Sequence, residues 1–129
     1  MQLMRFVRWV MYGYGVYNLV VGILSIIDAP LVAQLYAVNG PAPVLLAATR
    51  WIGALALTLS YAAFWAARDL SRPLQGMLLI ASAGSEVAGI WGLVAGEIGW
   101  ATAGSDMVAQ AVVLIALFIS YLTRERPAV

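Results

Sequence analysis

Four long runs of apolar residues constrain this chain more than any other feature. A membrane-spanning helix needs about 20 consecutive apolar residues. The chain is 64% hydrophobic and only 10% charged, whereas charged residues make up about 25% of an average soluble domain. We therefore predict an all-α integral membrane protein, with residues 1–129 forming a single domain that is a bundle of four transmembrane helices. The predicted spans are 9–27, 44–67, 74–96 and 107–122.

The distribution of arginine predicts how the bundle is oriented. Six of the seven basic residues, all of them arginine, lie before the first span, between the second and third, or after the fourth. The two loops on the opposite side contain Asp28, Glu97 and Asp106 and no basic residue. Because arginine is enriched in cytoplasmic loops, we expect both termini to be cytoplasmic.

Two further helix boundaries can be predicted from local sequence. After Pro30, apolar residues recur at helical spacing in the loop between the first two spans. We predict a short interfacial helix that is capped by Asp28 and ends at Asn39-Gly40; the alternative is a linker lying on the lipid headgroups. Ser105-Asp106 is the predicted cap of the last helix.

The chain contains a candidate internal repeat. Residues 56–61 read ALTLSY and residues 116–121 read ALFISY, an offset of 60. This offset aligns Arg50 with Gln110, and we expect Asn18 to correspond to Glu86 in the other two spans. The pattern predicts two helical hairpins of the same orientation, although apolar sequences also match by chance.

The amino-acid composition excludes several kinds of chemistry. Cysteine and histidine are absent, and there is no lysine. Disulfides, Cys/His zinc sites, histidine-activated nucleophiles and Schiff-base lysines are therefore excluded. The net charge of +1 with no basic run argues against a nucleic-acid partner. We predict no cofactor and no metal site.

Polar residues within the predicted spans are the main candidates for function. Asn18 and Glu86 lie about ten residues from the outer ends, or roughly 15 Å deep, whereas Arg50 is somewhat shallower and Gln110 shallower still. An uncompensated charge at mid-membrane costs at least about 2.5–3.5 kcal/mol. We therefore expect an Arg50–Glu86 ion pair inside the bundle, with Asn18 completing its hydrogen bonds.

This predicted pair has two interpretations. It is either a structural clamp between helices or part of a ligand site, in which Glu86 is also the candidate proton carrier or catalytic acid. Tyr14 lies one turn before Asn18, and Trp51 and Trp91 are either packing residues or a platform for a ligand. The full set of predicted ligand-binding residues is Arg50, Glu86, Asn18, Tyr14, Gln110, Trp51 and Trp91.

Small residues follow one face of the third span. Gly84, Ala88, Gly92 and Gly96 recur at a spacing of four, which allows two helices to approach closely in lipid. Glu86 points about 200° away from Gly84. The small-residue face is predicted to pack either within the bundle or against a second protomer.

Part of the chain resembles a known group of proteins. Residues 50–57 (RWIGALAL) lead to residues 66–72 (AARDLSR), and Asn18 to Gly22 (NLVVG) precede the exit from the first span at Pro30. These segments, some twenty residues in detail, resemble the small four-span bacterial membrane proteins of the DoxX-like and BphX-like group. The resemblance implies a bacterial inner-membrane location and four helices. That group has no uniform activity, so it implies no reaction.

The leading functional hypothesis is a protein that binds or handles a small lipophilic or weakly polar molecule in an outward-facing intramembrane cavity. In this hypothesis Arg50 anchors a polar head, Glu86 is its counter-ion and Asn18 a hydrogen-bond partner. One alternative is a non-catalytic accessory subunit of a larger membrane complex, or a homo-oligomer, docking through the Gly84–Gly96 face. Another is an intramembrane isomerase, lyase or hydrolase with Glu86 as general acid.

Overall fold

The chain folds into helices throughout the part that is described. In a computed structural model, residues 2–35 and 43–123 are described, and they form five α-helices and no strand. Four of these helices have the length and apolar composition needed to cross a membrane, so the prediction of four such helices is confirmed. The helices are α1 (Gln2–Ile27), α2 (Ala29–Leu35), α3 (Pro43–Arg68), α4 (Arg72–Val94) and α5 (Trp100–Thr123).

One predicted helix start is confirmed and another is wrong. The backbone N–H of Leu31 donates to Asp28 Oδ1 at 3.2 Å, so Asp28 caps α2 as predicted; the predicted end at Asn39-Gly40 lies outside the described residues. Helix α5 begins at Trp100 rather than at Ser105-Asp106. The residues after Trp100 include good helix formers, and the Asp106 side chain is engaged in tertiary contact instead of capping.

The predicted packing residue Gly96 forms a turn. Its φ of +73° is a left-handed conformation that favours glycine. The Glu97 backbone N–H donates to the Gly92 carbonyl at 2.8 Å, closing the end of α4. Gly96 therefore redirects the chain toward α5 and does not pack against another helix.

The long helices form two antiparallel hairpins side by side. Helix α1 packs extensively on α3, α4 packs on α5, and α1 also contacts α5, whereas α3 and α4 contact each other little. The closest backbone approach joins α1 to α3, since a Cβ added to Gly53 would lie 2.9 Å from the Gly22 carbonyl oxygen. The order across the bundle is therefore α3, α1, α5, α4.

The two hairpins share a contact at the predicted offset. Ser60 Oγ donates to the Gly15 carbonyl at 2.8 Å, and Gln75 Nε2 donates to Ser120 Oγ at 3.3 Å. Both members of the first contact become those of the second when shifted by 60 residues. The first contact is a hydroxyl donating to a backbone carbonyl and the second a side-chain amide donating to a hydroxyl, so the two contacts correspond in position and not in chemistry.

The positions that the predicted repeat aligns differ in burial. Arg50 is exposed whereas Gln110 is buried, and Asn18 is buried whereas Glu86 is half-buried. The repeat stays a prediction.

Antiparallel packing gives the bundle two chemically distinct ends. The arginine end contains the start of α1, the α3–α4 junction and the end of α5; the acid end contains Asp28, Glu97 and Asp106. Apolar side chains from all four long helices form one packed core toward the arginine end. Its buried members are Val7, Met11, Tyr14, Ala63, Ala66, Ala67, Leu70, Leu78, Val113 and Leu117.

Candidate functional site

The predicted Arg50–Glu86 pair is not formed. Arg50 is exposed on α3, whereas Glu86 is half-buried on α4 and its Oε1 accepts no hydrogen bond from the described residues. The physical reason is the pairing of the helices, because α3 packs mainly on α1 and α4 packs mainly on α5, whereas α3 and α4 contact each other little. The sequence predicted the depth of both charges without revealing which helices are neighbours.

The other predicted ligand residues divide between the interior and the surface. Tyr14, Asn18 and Gln110 are buried, as an intramembrane site requires. Trp51 is 76% exposed and Trp91 is 71% exposed, so their rings point away from the bundle interior. Tyr14, Asn18 and Gln110 therefore lie in the bundle interior. Glu86 is half-buried and lies partly in it.

Two of the buried polar residues have different hydrogen-bonding states. Asn18 Nδ2 donates to the Tyr14 carbonyl one turn earlier at 2.9 Å. The Asn18 side chain therefore hydrogen-bonds within its own helix and does not complete an ion pair. Gln110 Oε1 is buried without a hydrogen-bond partner in the described part of the chain, which leaves an acceptor available in the interior.

Asp106 is the acidic residue around which the acid end is organised. The Tyr17 hydroxyl donates to Asp106 Oδ1, and this hydrogen bond joins α1 to α5. Asp106 also lies within electrostatic range of the Glu86 carboxylate on α4. Three helices thus bring polar groups together here. The sequence analysis missed this role because it placed Asp106 in a loop. The signal that could have revealed it is the spacing to Gln110, because residues four apart lie on the same face of a helix.

A cavity of about 310 Å³ lies beside Asp106 at the acid end. Its volume and its largely apolar lining are typical of small-molecule sites. Helix α2 contributes Val32 and Ala33, so the short helix closes one side of the cavity. Among the described residues, the lining is Val21, Ser25, Val32, Ala33, Leu45, Thr49, Ile52, Ile98 and Asp106.

Three side chains give this cavity polar character. Ser25 is 1% exposed, and its Oγ has no hydrogen-bond partner among the described residues. Thr49 Oγ1 donates to the Leu45 carbonyl at 2.9 Å, which leaves its oxygen free to accept. Asp106 has a second carboxylate oxygen beyond the one that Tyr17 contacts. The arrangement can recognise a small apolar molecule that carries a hydrogen-bond donor.

The small-residue face of α4 is divided between packing and exposure. Gly92 is buried, and a Cβ added to it would lie 3.0 Å from Ile98 Cδ1, so Gly92 packs against a side chain of the loop between α4 and α5 and not against another helix. Gly84 and Ala88 are exposed, and a Cβ at Gly84 would meet nothing within 4 Å. These two residues line an open groove on the surface of α4.

Comparison of the chain with protein-family models, with characterised proteins and with solved structures finds no match. The resemblance to the DoxX-like and BphX-like group stays a prediction. Among the described residues, no three acidic, histidine or cysteine side chains cluster in a way that could hold a metal ion. The function proposed below therefore depends on the geometry of the acid end.

Proposed function

We propose that the protein binds a small, largely apolar molecule in the cavity at the acid end, within the membrane. The observation that carries the proposal is the cavity of about 310 Å³ beside Asp106, whose lining includes Ser25; the Ser25 hydroxyl is buried and has no hydrogen-bond partner in the described structure. A buried unpaired hydroxyl costs about 1–3 kcal/mol. A ligand that hydrogen-bonds to Ser25 removes that cost.

The charge of Asp106 specifies the polar group of the ligand. A carboxylate only accepts hydrogen bonds, and the Tyr17 hydroxyl already donates to one of its oxygens. A ligand hydroxyl or amine could donate to the other oxygen while Ser25 accepts or donates a second bond. The apolar remainder of the ligand would lie against Val21, Val32 and Ile52.

The arginine distribution supports a location for this site. With the arginine end in the cytoplasm, the acid end and its cavity face outward, and α2 lies at the outer membrane surface. The proposal thus keeps the predicted bacterial inner-membrane location with both termini cytoplasmic. It moves the centre of the site from Arg50 and Glu86 to Ser25 and Asp106.

The cavity favours binding over the two alternative functions. Glu86 does not line the cavity, so a catalytic acid at that position would lack the described pocket for its substrate. An accessory-subunit role would use the exposed face at Gly84 and Ala88, and nothing in the described structure shows what covers that face. Both alternatives stay predictions.

Binding of 1-naphthol, an apolar molecule with one hydroxyl donor, tests the proposal. Saturable binding is measured on the protein in lipid nanodiscs, with empty nanodiscs subtracted. We expect Val32→Phe, which fills the cavity, to weaken binding at least about tenfold. The matched control is Val108→Phe on α5, since Val108 is 65% exposed and its replacement leaves the cavity unchanged.

A second pair of measurements tests the polar contact. Wild-type protein should bind 1-naphthol more tightly than naphthalene, which lacks the hydroxyl. Ser25→Ala should reduce that preference without removing binding of naphthalene. Equal binding by wild type and Val32→Phe, or a preference for the hydroxyl unchanged in Ser25→Ala, would contradict the proposal.

A further inference from the structure

A small pocket lies between α1 and α3, at the opposite end of the bundle from the proposed site. Arg8 on α1 and Arg68 on α3 line the same small pocket. Both side chains are exposed, and in the part of the chain that the structure describes neither forms an ion pair. Asp69 is the nearest acid in sequence and is exposed as well. The pocket thus presents two positive charges from two helices.

An apolar groove begins at one of these arginines. Arg68 also borders a cavity of about 320 Å³ that Tyr61, Phe64 and Trp65 line. These three residues precede Arg68 on α3 by one to two turns, so the groove runs from the arginine end toward the middle of the bundle. Phosphate binding at Arg68 would therefore place an attached apolar chain directly over the groove.

Aromatic side chains reinforce the walls of this region. The Tyr61 and Trp65 rings are 6.3 Å apart, and the Tyr12 ring of α1 lies 6.2 Å from that of Phe64. Tyrosine and tryptophan are enriched where a membrane meets water. Their position beside exposed arginines is the one expected at the level of lipid headgroups.

We propose that Arg8 and Arg68 bind the headgroup phosphate of an anionic phospholipid, with one acyl chain in the groove formed by Tyr61, Phe64 and Trp65. Charge complementarity selects the anionic headgroup, because basic pockets between membrane helices bind such lipids. The groove selects a lipid over a free phosphate, because only a lipid brings an apolar chain. This site is independent of the cavity at the acid end.

Native mass spectrometry of the detergent-purified full chain tests the proposal. The probes are phosphatidylglycerol, phosphatidylcholine with the same acyl chains, and glycerol 3-phosphate, which has a phosphate and no chains. Wild-type protein should bind phosphatidylglycerol at least about tenfold more tightly than phosphatidylcholine. Glycerol 3-phosphate should not bind at concentrations that saturate phosphatidylglycerol.

The variants distinguish specific binding at Arg8 and Arg68 from a general attraction of anionic lipid to positive charge at this end of the protein. Arg8→Gln with Arg68→Gln should weaken phosphatidylglycerol binding about 10- to 30-fold. Arg72→Gln is the matched control, because Arg72 lies at the same end and its guanidinium sits 5.0 Å over the Tyr121 ring; it should change affinity less than about twofold. If the double variant unfolds, Arg8→Gln alone provides the test, with an expected loss of about fivefold.

Three results would overturn the proposal. Equal binding of the two lipids would show that charge does not select the headgroup. A loss in Arg72→Gln as large as that in the Arg8/Arg68 variant would show diffuse attraction. Binding of glycerol 3-phosphate as tight as that of phosphatidylglycerol would show that the groove contributes nothing.

Discussion

The arginine end and the acid end of the bundle differ in the large apolar side chains that they bury. Toward the arginine end, Met11, Leu78 and Leu117 are completely buried in a packed core, and the polar side chain of Gln75 is buried at the same end. Toward the acid end, the buried positions include Gly22 and Ser25, and a cavity of about 310 Å³ remains. The same four helices thus pack tightly at one end and leave space at the other.

This difference separates stability from recognition. Interdigitating apolar side chains hold helices together by close packing, and the arginine end supplies most of that packing. The acid end is held by a few specific contacts, namely the Gly22–Gly53 approach and the Tyr17–Asp106 hydrogen bond. A cavity thus lies beside a tightly packed core, and the following substitutions test this division.

The largest expected effect comes from truncating the arginine-end core. Leu117→Ala should lower the free energy of unfolding by about 2–5 kcal/mol, because Leu117 is 0% exposed and its removal creates a new cavity. Leu45→Ala is the matched control at the acid end, since it only enlarges an existing cavity, and should cost about 1 kcal/mol or less. Equilibrium unfolding in mixed detergent–SDS micelles measures both, and equal costs would contradict the division.

The next effect concerns close approach of backbones. Gly53→Ala should cost about 1–3 kcal/mol, because the new Cβ would lie 2.8 Å from Ser25 Cβ and 2.9 Å from the Gly22 carbonyl oxygen. Gly84→Ala, where a Cβ meets nothing, should be neutral or stabilise the helix by up to about 1 kcal/mol. The same unfolding assay applies. A destabilised Gly84→Ala would mean that the exposed face of α4 is packed in solution.

A smaller effect is expected at the hydrogen bond between α1 and α5. Tyr17→Phe removes the hydroxyl that donates to Asp106 and should cost about 1 kcal/mol, since hydrogen bonds between membrane helices average about 0.6 and reach about 1.7 kcal/mol. The free energy of unfolding measures it. An unchanged free energy of unfolding would indicate that the hydrogen bond from Tyr17 to Asp106 does not stabilise the contact between α1 and α5.

The smallest effect compares two buried serines. Ser60→Ala should cost about 0.6 kcal/mol, because Ser60 Oγ donates to the Gly15 carbonyl at 2.8 Å. Ser25→Ala should leave stability unchanged or raise it, because Ser25 Oγ has no partner in the described structure. A larger loss in Ser25→Ala than in Ser60→Ala would show that Ser25 supports the fold.

The fold was largely predictable because hydropathy acts on each segment separately. The four apolar runs correspond to four long helices, and the Asp28 cap depends on residues three positions apart. The start of α5 was not predictable in the same way. Asp106 is polar enough to look like a loop residue, and its hydrogen-bond partner Tyr17 is 89 residues away in sequence.

The sequence allowed the polar residues of the interior to be predicted, but it did not allow their spatial neighbours to be predicted. Asn18, Gln110 and Glu86 were recognised as polar residues at depth, and the first two are buried. The Arg50–Glu86 pair failed because pairing depends on which helices are neighbours, and a sequence gives no direct measure of helix order. Ser25 follows Asn18 by seven residues on the same face of α1, which predicts a cleft wall and a packing face equally well, and Thr49 carries no charge that distinguishes it from packing residues.

Photolabelling with a diazirine-bearing octanol tests the central claim most directly, because it reports where a small apolar alcohol binds. The protein in nanodiscs is irradiated with the probe, and labelled residues are identified by peptide mass spectrometry. We predict saturable labelling of Val21, Val32 or Ile52 that excess octanol displaces and that Val32→Phe abolishes. Labelling confined to exposed residues outside the cavity, such as Ile80 and Val87, and unchanged in Val32→Phe, would contradict binding at the acid end.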